Sequence, residues 1–154
     1  MRKIKVAQIG VQHDHASVVY RSITHLTDIF EVVGVAVEPE ADSRPNPVVK
    51  EGINGDLYKG HDLMTVEEIF NIPDLDAVII ETNEISSVKY ALMAAERGLA
   101  VHLDKPGGIK LADFEKLIAT VKEKQLVFHT GYMYRYNPAV IKALELVKSG
   151  EIGE

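Results

Sequence analysis

The chain has 154 residues, the usual size of one domain with a sizeable core, and carries a formal charge of −6 with 46% apolar and 26% charged residues. Its basic residues are scattered, which excludes a nucleic-acid footprint and a polybasic membrane patch, and no apolar run approaches a membrane span. There is no cysteine, so disulfides, iron–sulfur clusters and thiol chemistry are excluded, and the composition fits a reducing, cytoplasmic setting.

The first residues, Met1-Arg2-Lys3-Ile4-Lys5, have basic side chains but no apolar h-region behind them. They read as the start of a strand and not as a signal peptide. Short β-branched runs at 4–9, 32–37, 76–80, 99–103 and 126–130 predict buried parallel strands. Helical periods lie between them: Ala16, Val19, Tyr20, Ile23 and Leu26; then Ile85, Val88, Leu92 and Ala95; then Phe114, Leu117, Ile118 and Val121. Thr65 and Glu68 match a capping box, and Gly98 stands where a helix-ending glycine belongs. Asn137-Pro138 predicts a cap and a first-turn proline before a last helix over 140–148, ended by Gly150. The segment 38–62 holds three prolines and three glycines. It reads as a loop-rich edge of the sheet, where any helix is short and starts near Pro47. The repeated β-α-β rhythm predicts an α/β fold: a doubly wound parallel sheet (Rossmann fold) of about six strands, with helices on both faces.

Ligands of such a sheet sit beyond the carboxyl ends of its strands, so the residues after each strand are the candidate site. After the first strand a dinucleotide fingerprint requires G-x-G-x-x-G. Here only Gly10 remains, with Gln12 and His15 at the other two glycine positions. Backbone N–H groups at the following helix could still hold a phosphate, with Gln12 or His13 adding donors and Asp14 turned away. A polar turn without a ligand fits the same residues. Glu38 follows the second strand, 28 residues after Gly10, somewhat beyond the fingerprint's roughly 20-residue interval. An acid there accepts from ribose hydroxyls and repels a 2′-phosphate, which favours NAD, although Arg44 stands near enough in sequence to leave NADP open. Asp104-Lys105-Pro106 closes the fifth predicted strand. Pro106 restricts Lys105 to an extended backbone, aiming a lysine at the mouth of the sheet where it can hydrogen-bond a reacting oxygen.

From Asp74 to Glu154 the chain resembles the nucleotide-binding domain of the glucose–fructose oxidoreductase / inositol dehydrogenase family (Gfo/Idh/MocA), and more loosely before that. Asp104-Lys105-Pro106 stands where the family has Glu-Lys-Pro, which implies that Lys105 is the catalytic-site lysine, contacting substrate and nicotinamide. Thr82 matches the threonine of the family's Ala-Thr-Pro-Asn-x-x-His, while Asn83, Glu84 and Ser87 depart from it. Arg135 and Pro138 match its Gly-x-x-x-Arg-Phe-x-Pro, with Tyr136 at the aromatic position. His15-Ala16 resembles the family's His-Ala after a turn about three residues longer. The resemblance implies a cofactor site of Gly10, Gln12, His13, Glu38, Thr82, Asn83, Asp104, Lys105, Pro106 and Arg135, and NAD or NADP as cofactor. It implies a sugar or cyclitol substrate in a longer parent protein. There a second domain supplies the acid–base residues and most of the pocket, so this chain alone is expected to be inactive, and a homo-oligomer is expected only with that domain.

Two other classes fit parts of the pattern. One is a non-catalytic nucleotide-binding sensor or docking module, which the degraded glycine turn favours. The other is a metal-dependent hydrolase using His13 and His15, with His102 and Asp104 as further ligands, although its barrel needs eight strands. His25 and His61 are expected in solvent, and His129 at the core or rim.

Overall fold

The computed structural model of the chain describes residues 2–11, 15–39, 56–58, 60–61 and 63–153. Six strands form a single parallel sheet: β1 (Ile4–Ile9), β2 (Phe30–Ala36), β3 (Leu63–Met64), β4 (Ala77–Ile80), β5 (Ala100–Leu103) and β6 (Phe128–Thr130), in the order β3-β2-β1-β4-β5-β6. The chain starts at the centre, winds outward through β2 to β3, then crosses to β4 and winds outward again. The switch of direction falls between β1 and β4.

Among the described residues the helices are α1 (Ala16–His25), α2 (Val66–Phe70), α3 (Ser87–Glu96) and α4 (Leu111–Glu123), which cover the sheet, and α5 (Pro138–Lys148), which buries no residue of its own. Alternation along each strand divides the core. Ala7, Ile9, Val78, Ile80, Val101 and Leu103 face α3 and α4, where Ala91, Ala94, Ala95, Leu117 and Val121 complete the main cluster. Val6 and Ile79 face the other way and pack on Ile23 of α1. The small residues of α3 let it lie close to the sheet and to α4 at once.

The predicted punctuation marks act as expected. Thr65 Oγ1 accepts from Glu68 N at 3.2 Å while Glu68 Oε2 accepts from Thr65 N at 2.7 Å, closing the capping box of α2. These hydrogen bonds hold the Glu68 carboxyl below its usual range. Gly98 takes φ +82 after α3. Asn137 Oδ1 accepts from Ala139 N at 2.9 Å, so α5 begins at Pro138, two residues before the predicted start. β2 begins two residues earlier than its apolar run and ends one residue earlier. The two-residue edge strand β3 carried no pattern of its own. The helix expected near Pro47 lies outside the described residues. Among the described residues, no helix is long and apolar enough to cross a membrane.

Candidate functional site

Strands β1, β4, β5 and β6 each extend their hydrogen bonding one residue past their ends. Gly10 N donates to Ala36 O (2.9 Å), Glu81 N to Ile9 O (2.8 Å), Asp104 N to Ile80 O (3.1 Å) and Gly131 N to Leu103 O (2.9 Å). Gly10, Glu81, Asp104 and Gly131 therefore stand in one row along the carboxyl edge of the sheet. Thr82 and Lys105 follow directly behind their neighbours in that row. The switch point between β1 and β4 lies within it, which is where open α/β sheets bind their ligands.

Gly10 is fixed by two constraints. Its φ is +100, and a Cβ would stand 2.4 Å from the carbonyl oxygen of Glu81 and 2.8 Å from Thr82 N. The turn after β1 therefore passes directly against the end of β4, a cradle that any side chain would fill. Gly131 has the same relation to β5, since a Cβ there would meet Asp104 Oδ1 at 2.5 Å.

His15 and Asp104, far apart in sequence, meet across the edge: His15 Nδ1 lies 3.1 Å from Asp104 Oδ2, and Asp104 is 6% exposed. The pair ties the start of α1 to the strand end that carries Lys105. Lys105 and Pro106 are exposed, and the bond between them is cis. Thr82 is buried, its hydroxyl donating to Asn83 O at 3.3 Å. Asn83 Oδ1 accepts from Ile85 N, Ser86 N and Ser86 Oγ at 3.0–3.1 Å, an Asx turn that opens the approach to α3. Its side-chain carbonyl is thus committed to the chain's own turn. Arg135 is exposed in the 3-10 turn Met133–Tyr136. Glu38 is only 2% exposed, so the carboxylate past the end of β2 is enclosed and not solvated. Gln12, His13, Asp14 and Arg44 lie outside the described residues.

Glu81 shares its sheet face with Ile79 and approaches His102, Oε1 to Nε2 3.6 Å. His102 and His129 are register partners on β5 and β6. Their Nδ1 atoms lie 2.8 Å apart, so one ring donates and the other accepts, and the rings stack at 4.9 Å. Desolvation and then the neighbouring His102 hold the His129 imidazole below its usual value. His61 is half-buried, its ring edge-on to Tyr20, where solvent was expected. Gln8 was unmarked, although a polar residue in the middle of an apolar strand is a visible signal. It is fully buried beneath the turn. Burial pushes the nearby Tyr58 hydroxyl up to about 12.

The open sheet corrects the barrel alternative, because β3 and β6 are edges. His15 turns to Asp104, and His102 turns to His129 and Glu81. Among the described residues, no three His, Asp or Glu side chains are grouped to hold a metal ion.

A six-stranded parallel sheet in this order, with a glycine turn between β1 and α1 at the switch point, is the architecture of a dinucleotide-binding Rossmann fold. The chain belongs to the Gfo/Idh/MocA family, whose model, described as an oxidoreductase family with an NAD-binding Rossmann fold, matches residues 4–132. Among its relatives, scyllo-inositol 2-dehydrogenase (NAD(+)) of Bacillus subtilis is 32% identical over 87 residues, covering 56% of this chain and 25% of that protein. D-xylose 1-dehydrogenase (NADP(+)) of Hypocrea jecorina is 33% identical over 119 residues, 77% of this chain and 30% of that protein. Myo-inositol 2-dehydrogenase from Lactobacillus plantarum superposes with a TM-score of 0.77 at 20% identity, over 99% of this chain and 43% of that one. GenD2 from gentamicin A biosynthesis, solved in complex with NAD, gives 0.79 at 20% identity, over 98% and 40%. Those two likenesses show the fold. The chain spans less than half the length of each of these proteins.

Proposed function

We propose that residues 1–154 form the cofactor domain of an NAD(P)-dependent oxidoreductase that acts on a secondary alcohol of a sugar or cyclitol, with NAD preferred. The observation that carries the reading is the row of Gly10, Thr82 and Asp104-Lys105 along one edge of the sheet, spanning the switch point. The family resemblance assigns the catalytic-site lysine to Lys105 in that row. The inositol dehydrogenases among the relatives support a polyol substrate.

The residues present fit a dinucleotide. Gly10 leaves a cradle against β4 where a phosphate-facing turn needs close backbone approach. Glu38, enclosed past the end of β2, would turn its carboxylate to ribose hydroxyls, and backbone N–H groups of the turn would hold the diphosphate; Gln12 and His13, which the resemblance adds to this site, lie outside the described residues. On the family resemblance, Thr82, Asn83, Pro106 and Arg135 would contribute to the nicotinamide side. When bound, the nicotinamide supplies the hydride chemistry. Lys105 would hydrogen-bond the reacting oxygen, orienting it and stabilising charge that develops there. Asp104, held by His15, fixes the backbone from which Lys105 projects.

A general base and the sugar pocket come, on this reading, from a further domain of a longer protein. The exposed apolar surface of α5 supports this: Ile141, Leu144 and Val147 are 42–53% exposed, next to Tyr134 and Tyr136 at 67–69%. The test is a fluorescence titration with NADH and NADPH, comparing the wild-type chain with Glu38→Gln. NADH should bind about tenfold or more tightly than NADPH, and the substitution should narrow that difference. Equal affinities, or an unchanged ratio in the variant, would overturn the NAD preference. Steady hydride transfer to a sugar by this chain alone would overturn the need for a second domain.

A further inference from the structure

The turn after β1 keeps one glycine of the usual three, so something other than close glycine packing must set its shape. Gln8 lies directly beneath it. Its side chain is fully buried, and its Nε2 donates to Gly10 O at 2.9 Å and to Ala16 O at 3.2 Å, with Tyr58 Oη at 3.4 Å. Gly10 opens the turn and Ala16 is the first residue of α1. One amide group therefore grips both rims. Two carbonyl oxygens around one nitrogen leave no choice of amide orientation, because an oxygen there would face two acceptors.

The grip has a direction. In a trans peptide the C=O and the following N–H point opposite ways. Holding Gly10 O toward Gln8 points the Val11 N–H to the opposite side of that peptide, away from Gln8. Val11 itself is anchored in the small cluster of Tyr20, Val35 and Tyr58. On the α1 side of the turn, the side chain of the N-cap residue His15 does not cap the helix.

We propose that Gln8 is a positioning residue for the dinucleotide diphosphate, holding Gly10 and Ala16, the two ends of the turn, to one another. This rests on the dinucleotide-binding reading above. Gln8 acts through the backbone of the turn and does not touch the ligand.

Gln8→Met keeps the volume and removes the donors. Titration of the chain with NADH, ADP and adenosine separates positioning from general damage. The account expects NADH and ADP affinities to fall together by about tenfold or more, with adenosine, which lacks the diphosphate, unchanged. Unchanged NADH and ADP affinities overturn the proposal, as does an equal loss for all three ligands. A wild-type chain that binds neither NADH nor ADP overturns the dinucleotide reading instead. The grip on the turn is then judged by amide exchange, which should quicken at residues 10–18 in Gln8→Met while residues 77–80 stay protected. If that variant does not fold, the wild-type chain still decides. The Gln8 side-chain N–H resonances should exchange slowly and shift on adding ADP to a chain that binds it, and resonances that stay unmoved at saturation refute the proposal.

Discussion

Replacing Gly10 by alanine measures how tightly the turn is pressed against the sheet. Two costs combine. A φ of +100 is foreign to an L-residue, a strain of about 1–2 kcal/mol. The new methyl would also stand 2.4 Å from the Glu81 carbonyl oxygen. Neither side yields freely, because Glu81 N is bonded to Ile9 O and Gly10 N to Ala36 O. Overpacking of this kind adds about 1–3 kcal/mol, for a total of about 2–5 kcal/mol. Gly98→Ala is the control, with φ +82 and no atom within 4 Å of its Cβ, so it should lose only the strain. Urea unfolding followed by circular dichroism gives both losses from the shift in midpoint. Equal losses in the two variants would refute the collision between the turn and β4. A Gly10→Ala chain as stable as wild type would refute the backbone geometry itself.

A double-mutant cycle on His15→Ala and Asp104→Asn should give a coupling of about 0.5–1.5 kcal/mol in urea unfolding, and additive losses would deny that the turn is tied to the end of β5. Lys105→Ala should leave stability within about 0.5 kcal/mol, since the side chain is exposed, and a larger loss would give the lysine a structural role. His129 should titrate below 6.5 by NMR, and His102→Gln should move it back up. Because its folded value is lowered, its contribution to stability is complete above its unfolded value and is lost as pH falls from about 6.5 through the folded value, so a loss on raising pH would contradict the assignment.

The inner strands were legible because a strand buried on both faces reads as an unbroken apolar run, and helix caps were legible because capping chemistry is local. β3 was not, because two residues in a loop-rich segment have no periodicity. Gly10 and Lys105 could be marked as candidates because each sits just past a recognisable strand. The contacts that organise the site depend on register and crossing, which local spacing does not encode. His15 reaches Asp104 from 89 positions away. His102 meets His129 only because β5 and β6 pair with those two residues opposite one another. Glu81 stands in the row at the ligand edge, but strand alternation turns its side chain to the face of Ile79, toward His102. Gln8 could have been noticed, since a glutamine in an apolar strand must find buried partners.

The central claim, that this chain is a dinucleotide-binding domain with its site along the β1–β4–β5 edge, is tested most directly by NMR mapping of NADH binding. The account predicts saturable binding, with the amide resonances of residues 10–11, 15–17, 38, 82 and 104–105 shifting together. An absence of binding, or shifts confined to the outer faces of α3 and α4, would contradict it.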